Sequence, residues 1–157
     1  MKNSEEIRQL LEAEGLTVLR SAKPTRDSAA AAAAVGCTVA EIAKSILMLV
    51  GGQPVLVVAG GDVRVKSGLL KKALGRSGAV RLPAPIEVVR FTGYAPGAVS
   101  PFLLPAELPV LLDVSLRRFP LLYPAAGDDS SSVAITFEHL QRLSGGRLVE
   151  VCAGAEG

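Results

Sequence analysis

The chain predicts a mixed α+β (α/β) domain, and three features carry that expectation. Apolar runs at residues 45–50 and 55–59 are too short for helices and too continuous for strands with one wet face. Elsewhere leucines and alanines recur at helical spacing, as in Leu69, Leu70, Ala73 and Leu74. Glycines and prolines, 16 and 10 of them, separate these segments at short intervals. The 157 residues, 49% hydrophobic and 20% charged, suffice for one domain with a real core.

Taken in order, Ser4 reads as a helix cap with Glu5 and Glu6 in the first turn. Ile7, Leu10 and Leu11 continue that helix, and Gly15 stops it. Residues 16–20 alternate as a short strand. Pro24-Thr25 opens a second helix through the alanine tract 29–34, since alanine is the best helix former, and Gly36 ends it. Thr38-Val39-Ala40-Glu41 has the spacing of a capping box on a short turn. The runs at 45–50 and 55–59, joined by Gly51-Gly52-Gln53-Pro54, read as a hairpin in the middle of a sheet.

Gly60-Gly61-Asp62 turns the chain again. A helix holding Leu69, Leu70, Ala73 and Leu74 follows and stops at Gly75. Residues 79–82 suggest a strand. Pro83 and Pro85 lead into a helix over 86–91 closed by Gly93. Beyond a loop come a strand at 110–112, a helical turn at 115–118, and short strands at 121–123 and 133–135 flanking Gly127-Asp128-Asp129. Thr136 caps a last helix that ends at Gly145-Gly146, before a strand at 148–151. The count is six or seven strands. The domain is expected over residues 1–152, with 153–157 a disordered tail that has nothing to bury.

Bulk properties exclude several classes. Lys and Arg number 17 against 15 Asp and Glu, and a net charge of +2 neither demands nor excludes a nucleic-acid partner. Aromatics at 4%, with no Trp, argue against a base-stacking platform. Cys37 and Cys152 lie far apart and His139 is the single histidine, so no zinc-ligand spacing exists; neither metal nor cofactor is expected. Two lone thiols and a polar, acidic N-terminus fit a reducing cytoplasm, and no apolar run is long enough to engage a membrane as a span.

Two places could carry chemistry. The loop Thr92-Gly93-Tyr94-Ala95-Pro96-Gly97-Ala98-Val99-Ser100-Pro101-Phe102 is neither good helix nor good strand. Such a loop is stiff, with backbone N–H groups free to point at a ligand, or it simply turns the chain. Lys44 stands at the mouth of an apolar strand, where a lysine either snorkels to solvent or is held as a fixed cation. Asp62, Asp113 and Asp128 sit where aspartates usually brace turns. Gly60-Gly61 is only a fragment of a phosphate loop, without the P-loop spacing. His139 reads as a surface helix residue and Cys37, beside a helix cap that could lower its pKa, as a small packing residue. Residue types and spacing stop short of a reaction.

One ordered set of motifs goes further. Glu41-Ile42-Ala43-Lys44-Ser45, then Pro54 through Asp62, then Thr92-Gly93-Tyr94 and Gly97-Ala98-Val99-Ser100-Pro101-Phe102, then Pro109-Val110-Leu111-Leu112-Asp113 together resemble the YbaK/prolyl-tRNA editing family. The likeness runs from about Pro24 to the last helix. It implies a single mixed domain around a largely antiparallel sheet, and a metal-free hydrolysis of the ester between a wrong amino acid and the 3′ end of tRNA, often that for proline. By the same resemblance the family lysine is Lys44, the Gly-x-x-x-Pro loop is Gly97 to Pro101, and a polar position near the end is Asp128. Lys44, Gly97, Ala98 and Asp128 are thus the expected catalytic groups, with Ser45, Val58, Gly60, Val99, Ser100 and Pro101 around the substrate. The implied partners are the 3′ acceptor end of aminoacyl-tRNA and prolyl-tRNA synthetase, for a monomer or weak homodimer. Ala98 stands where many relatives have a second glycine, and Ser45 where an alanine-specific branch tends to have Asn, which argues against that branch. Other readings keep the fold without the cleavage: a module that binds a tRNA 3′ end or nucleotide, or a phosphate site built on Lys44 and Gly60-Gly61.

Overall fold

The computed structural model describes residues 4–25 and 27–154. A six-stranded sheet organises them. Its backbone is the antiparallel hairpin β2 (Ile42–Val50) and β3 (Gln53–Gly60), turned at Gly51-Gly52. On β3 lie β6 (Val110–Asp113) and then β9 (Arg147–Val149), both parallel to their neighbours. On the other side of β2, β5 (Val80–Arg81) pairs antiparallel near one end and β7 (Tyr123–Pro124) parallel near the other. Two small antiparallel pairs flank the sheet: β1 (Val18–Arg20) with β8 (Ser131–Val133), and β4 (Val63–Val65) with β10 (Cys152–Gly154). Antiparallel pairing dominates, in four of seven strand pairs and in the longest ladder. The α+β fold is as the sequence predicts.

Both faces of the hairpin are covered, as its unbroken apolar runs require. Period two sorts β3 between them. Leu56 and Val58 join a cluster with Ile7 and Leu11 of α1 (Ser4–Ala13), Val88 of α4 (Pro85–Thr92) and Leu140 of α5 (Phe137–Ser144). Val55, Val57 and Ala59 join a second cluster with Leu70 of α3 (Ser67–Leu74), Val63 and Val151. Each fully buried Leu or Ile contributes about 1.5–3 kcal/mol relative to exposure. No helix among the described residues is long and apolar enough to cross a membrane.

Several boundaries differ from expectation, each for a local reason. α2 spans Ser28–Val35, later than Pro24-Thr25, because Asp27 caps it by accepting from the Ala30 amide at 2.8 Å. The helix α1 already includes Ser4, and the residue that would cap it lies outside the described ones. β2 starts at Ile42, so Lys44 is inside the strand rather than at its mouth. The capping box at Thr38 is half formed: Glu41 Oε1 accepts from both the Thr38 amide and its hydroxyl, at 2.9 Å each. Ten strands form among the described residues instead of six or seven, since three-residue strands such as β4 and β10 are too short to show a period. The expected loose tail begins too early: Ala153 and Gly154 pair with Arg64 and Val63, while 155–157 lie outside the described residues.

The buried acids of this core make a pH prediction. Burial pushes the Cys152 thiol from 9.0 up to about 12, with Asp113 adding to the rise. Burial likewise raises the Tyr94 phenol, whose hydroxyl donates to the Phe102 carbonyl. Folded-state pKa values above the unfolded ones contribute stability that is complete below about pH 9 and is lost as pH climbs toward the folded values. Lys44, with its pKa lowered, acts in the opposite sense. Urea midpoints measured from pH 8 to 10.5 are therefore expected to fall less steeply in Cys152→Ala than in the wild type. Parallel slopes would contradict this.

Candidate active site

The sheet leaves a gap on one edge of β2. Ile42 and Ala43 pair with β7 and Leu49 and Val50 with β5, so among the described residues no strand pairs with 44–48 on that side. A cavity of about 230 Å³ lies at the β7 end of that gap. Its wall combines β2 (Ile42 to Ser45), the loop residues Gly97 and Val99, α2, and residues 128–132 leading into β8. Sequence-predicted residues from three distant parts of the chain thus meet around one space: Lys44 with Ser45, Gly97 with Val99, and Asp128.

The loop reaches the cavity because it is tied down behind. Ser100 is fully buried and its hydroxyl donates to the Ala125 carbonyl at 2.8 Å. Tyr94 and Phe102 anchor its two ends in the first cluster. Gly97 has φ +84°, a conformation side chains rarely adopt, and a Cβ there would meet nothing within 4 Å. The Ala98 amide is not free: it donates to the Ala95 carbonyl at 3.0 Å, closing a turn, and Ala98 does not line the cavity. Among the described residues the amides of Gly97 and Val99 donate to no other group. The donors available at the wall therefore belong to the two neighbours of Ala98.

Lys44 lines the same cavity, but its ammonium is already engaged. Nζ donates to the Val63 carbonyl and, at 3.5 Å, to that of Gly61. Two of its three protons are so occupied. Burial lowers its pKa; Cys152 and Asp62 partly offset that shift, and Arg64 adds to it. The turn that supplies these carbonyls depends on Gly61, where a Cβ would sit 2.3 Å from the Val39 carbonyl oxygen. Asp62 braces the same turn through Arg118, with bonds of 2.9 and 2.6 Å that hold its carboxyl below the usual range.

Asp128 braces a turn at the cavity wall. Its Oδ1 accepts from the Ser130 amide at 2.9 Å, the usual turn-bracing role, and it faces the cavity. Ser45 and Ser131 add two buried hydroxyls to the wall, neither partnered among the described residues. Sequence reasoning missed Ser131, although its place two residues before the apolar Val133 marks an inward-facing polar position. It also missed Asp27, Ser28 and Ala31, which α2 presents to the same space.

The remaining expected residues lie elsewhere. Val58 is fully buried beside Ser45, its partner across the β2–β3 ladder, and does not line the cavity. Gly60 donates its amide to Ser115 Oγ at 3.0 Å, inside the protein. Pro101 borders a separate apolar groove with Leu10, Leu104 and Arg147. Cys37 has its thiol pushed up by burial, not lowered by the adjacent cap. His139 meets Glu14 at 3.0 Å on the surface, where Arg142 joins them.

Comparison with known proteins adds an independent line. The model of a family described as the aminoacyl-tRNA editing domain matches residues 22–143. The uncharacterized protein YwhH of Bacillus subtilis (strain 168) is 35% identical over 124 residues, 78% of each chain. A crystal structure of a provisionally assigned trans-editing enzyme for prolyl tRNA synthetase superposes with a TM-score of 0.84 at 29% identity, over 98% of this chain and 99% of that one. The hypothetical protein APE2540 superposes with a TM-score of 0.82 at 30% identity, over 96% of this chain and all of the other.

Proposed function

The chain belongs to the aminoacyl-tRNA editing domain family, and from that premise we propose that it is a trans-acting deacylase of mischarged aminoacyl-tRNA, with tRNA for proline as its substrate. The carrying observation is the single cavity that gathers Lys44, Ser45, Gly97, Val99 and Asp128 from three separate segments. Water attacks the ester carbonyl carbon, and the bond from that carbon to the ribose oxygen breaks. The ribose oxygen takes a proton, and the amino acid leaves as its carboxylate. Charge develops on the carbonyl oxygen in the transition state, where amides fixed beforehand stabilise it without reorganising.

The Gly97 and Val99 amides are the donors suited to that oxygen. The third proton of the Lys44 ammonium is suited to the same oxygen or to the terminal phosphate of the tRNA. Asp128, with Oδ1 occupied by Ser130, keeps Oδ2 for the α-ammonium of the substrate. The ester is already activated, and its own amine or vicinal hydroxyl can place the water, so the mechanism needs no histidine base.

Gly97→Ala tests the loop. Left-handed backbone costs an L residue about 1–2 kcal/mol, while the open space around Gly97 avoids a clash. The variant is expected to fold, with slower release of amino acid from mischarged tRNA. Unchanged turnover would remove the loop from the mechanism. One observation favours the non-catalytic reading: the carbonyls of Gly61 and Val63 restrain the Lys44 cation. Tight binding of tRNA without release across alanyl, cysteinyl and seryl esters would establish that reading instead.

A further inference from the structure

The Gly60-Gly61-Asp62 turn between β3 and β4 has no part yet in the chemistry, although it is where Lys44 is tethered. It is not a phosphate loop. The Gly60 amide donates to Ser115 Oγ at 3.0 Å and the Gly61 amide to the Ile42 carbonyl at 2.8 Å, so both are already used inside the protein. The two glycines instead make room for neighbours. A Cβ on Gly60 would sit 2.4 Å from Arg118 Nη2, and one on Gly61 would sit 2.3 Å from the Val39 carbonyl oxygen. What Gly60 admits is a guanidinium that grips the turn. Arg118 Nη1 donates to Asp62 Oδ2 at 2.9 Å and Nη2 to Asp62 Oδ1 at 2.6 Å, while Nε donates to the Ser115 carbonyl at 2.7 Å. Ser115 is itself fixed, its amide donating to Asp113 Oδ2 at 2.9 Å. One chain of bonds thus runs from the end of β6, through the 3-10 turn Val114–Arg118, to Asp62 and the carbonyls that hold the Lys44 ammonium.

We propose that Asp62 and Arg118 are positioning residues that aim the Lys44 ammonium at the ester, by fixing the Gly61 and Val63 carbonyls to which it donates; this rests on the deacylase reading above. The fold gains little from the pair. Both side chains are 37% exposed, and an ion pair so open contributes little to stability. A bidentate fork fixes geometry, and here geometry matters. The two carbonyls take two of the three ammonium protons, and so set the direction of the third. A group that touches the reacting atoms loses up to about 10²-fold in rate when misplaced by about 1 Å. Against the burial that lowers the Lys44 pKa, Asp62 also supplies a nearby negative charge. A clamp that only braced the surface would act on stability without passing through Lys44. A clamp that aims the cation loses its effect on rate once the cation is gone.

The test is a double-mutant cycle on release of amino acid from mischarged tRNA. Arg118→Ala is expected to lower kcat/KM about 10- to 100-fold with little change in the urea midpoint. Added to Lys44→Met, it is expected to cost nothing further, because it acts through the cation that is already missing. Asp62→Ala, which opens the clamp from its other side, is expected to behave in the same way, and it carries the test should Arg118→Ala fold poorly. Wild-type kcat/KM in both clamp variants overturns the proposal. So does a loss that multiplies with that of Lys44→Met, which would make the clamp a brace of the fold. A second readout needs no substrate. Carbon-13 relaxation of the Lys44 ε-methylene, assigned by its absence from Lys44→Met, is expected to show a held side chain in wild type and a mobile one in both clamp variants. Equal mobility in all three overturns the proposal. If wild type releases no amino acid from any mischarged tRNA, the deacylase reading falls, while the mobility still decides whether Asp62 and Arg118 hold Lys44 in place.

Discussion

Lys44→Met is expected to lower kcat/KM for release of amino acid from mischarged tRNA by about 10²–10³, with little change in the unfolding midpoint. Methionine keeps most of the unbranched stem and removes only the charge and its donors. Burial disfavours the charged form of Lys44, so relief of that cost offsets part of what is lost with its bonds to the Gly61 and Val63 carbonyls. The remaining donors, the amides of Gly97 and Val99, leave residual activity. A Lys44→Met protein that turns over at the wild-type rate would show that the cation near the Gly61–Val63 turn serves the fold alone. A loss of stability equal to the loss of activity would say the same.

Asp113→Ala is expected to destabilise the protein by about 3 kcal/mol while leaving the cavity residues unchanged in identity. Asp113 is 2% exposed at the end of β6. Its Oδ2 accepts from the Ser115 amide and its Oδ1 from the Val151 amide, both at 2.9 Å. It therefore starts the 3-10 turn after β6 and also fixes the segment between β9 and β10. Removing the carboxylate leaves two buried N–H donors unpaired, each costing about 1–3 kcal/mol. Asp113→Asn keeps one acceptor oxygen and is expected to lose about half as much. The two variants are compared by urea denaturation. Equal, near-wild-type stability in both would contradict this account of the β6 end.

Asp113 also illustrates what can be read in the chain. An aspartate closing an apolar strand predicts a braced turn, and that is what it makes. Its bond to Val151, 38 residues on, has no trace in local sequence, because it depends on β9 lying parallel to β6. The same division holds for the site. Gly97 and the prolines around it announce a stiff loop, and the apolar runs at 45–50 and 55–59 announce the hairpin. What spacing does not reveal is the gap between β5 and β7 along β2, at whose β7 end the cavity lies. Nor does it reveal that the Ala98 amide is used within its own turn, or that Val58 and Gly60 face the interior. The Ala95–Ala98 turn is local, but the other outcomes are decided by pairing across more than thirty residues, as in β3 with β6. Ser131 was legible in principle, since a polar residue on the inward period of a strand is unusual.

The central claim is that one ester carbonyl is held between the Lys44 cation and the amides that flank Ala98. A structure of the protein with a non-hydrolysable 3′-amide analogue of aminoacyl-adenosine tests it most directly. The account predicts the amide carbonyl oxygen at about 3 Å from the Gly97 or Val99 nitrogen, with the Lys44 ammonium within reach of that oxygen or of the adjoining phosphate. An analogue bound in the groove beside Pro101, or one in the cavity with its carbonyl turned away from both, would contradict it.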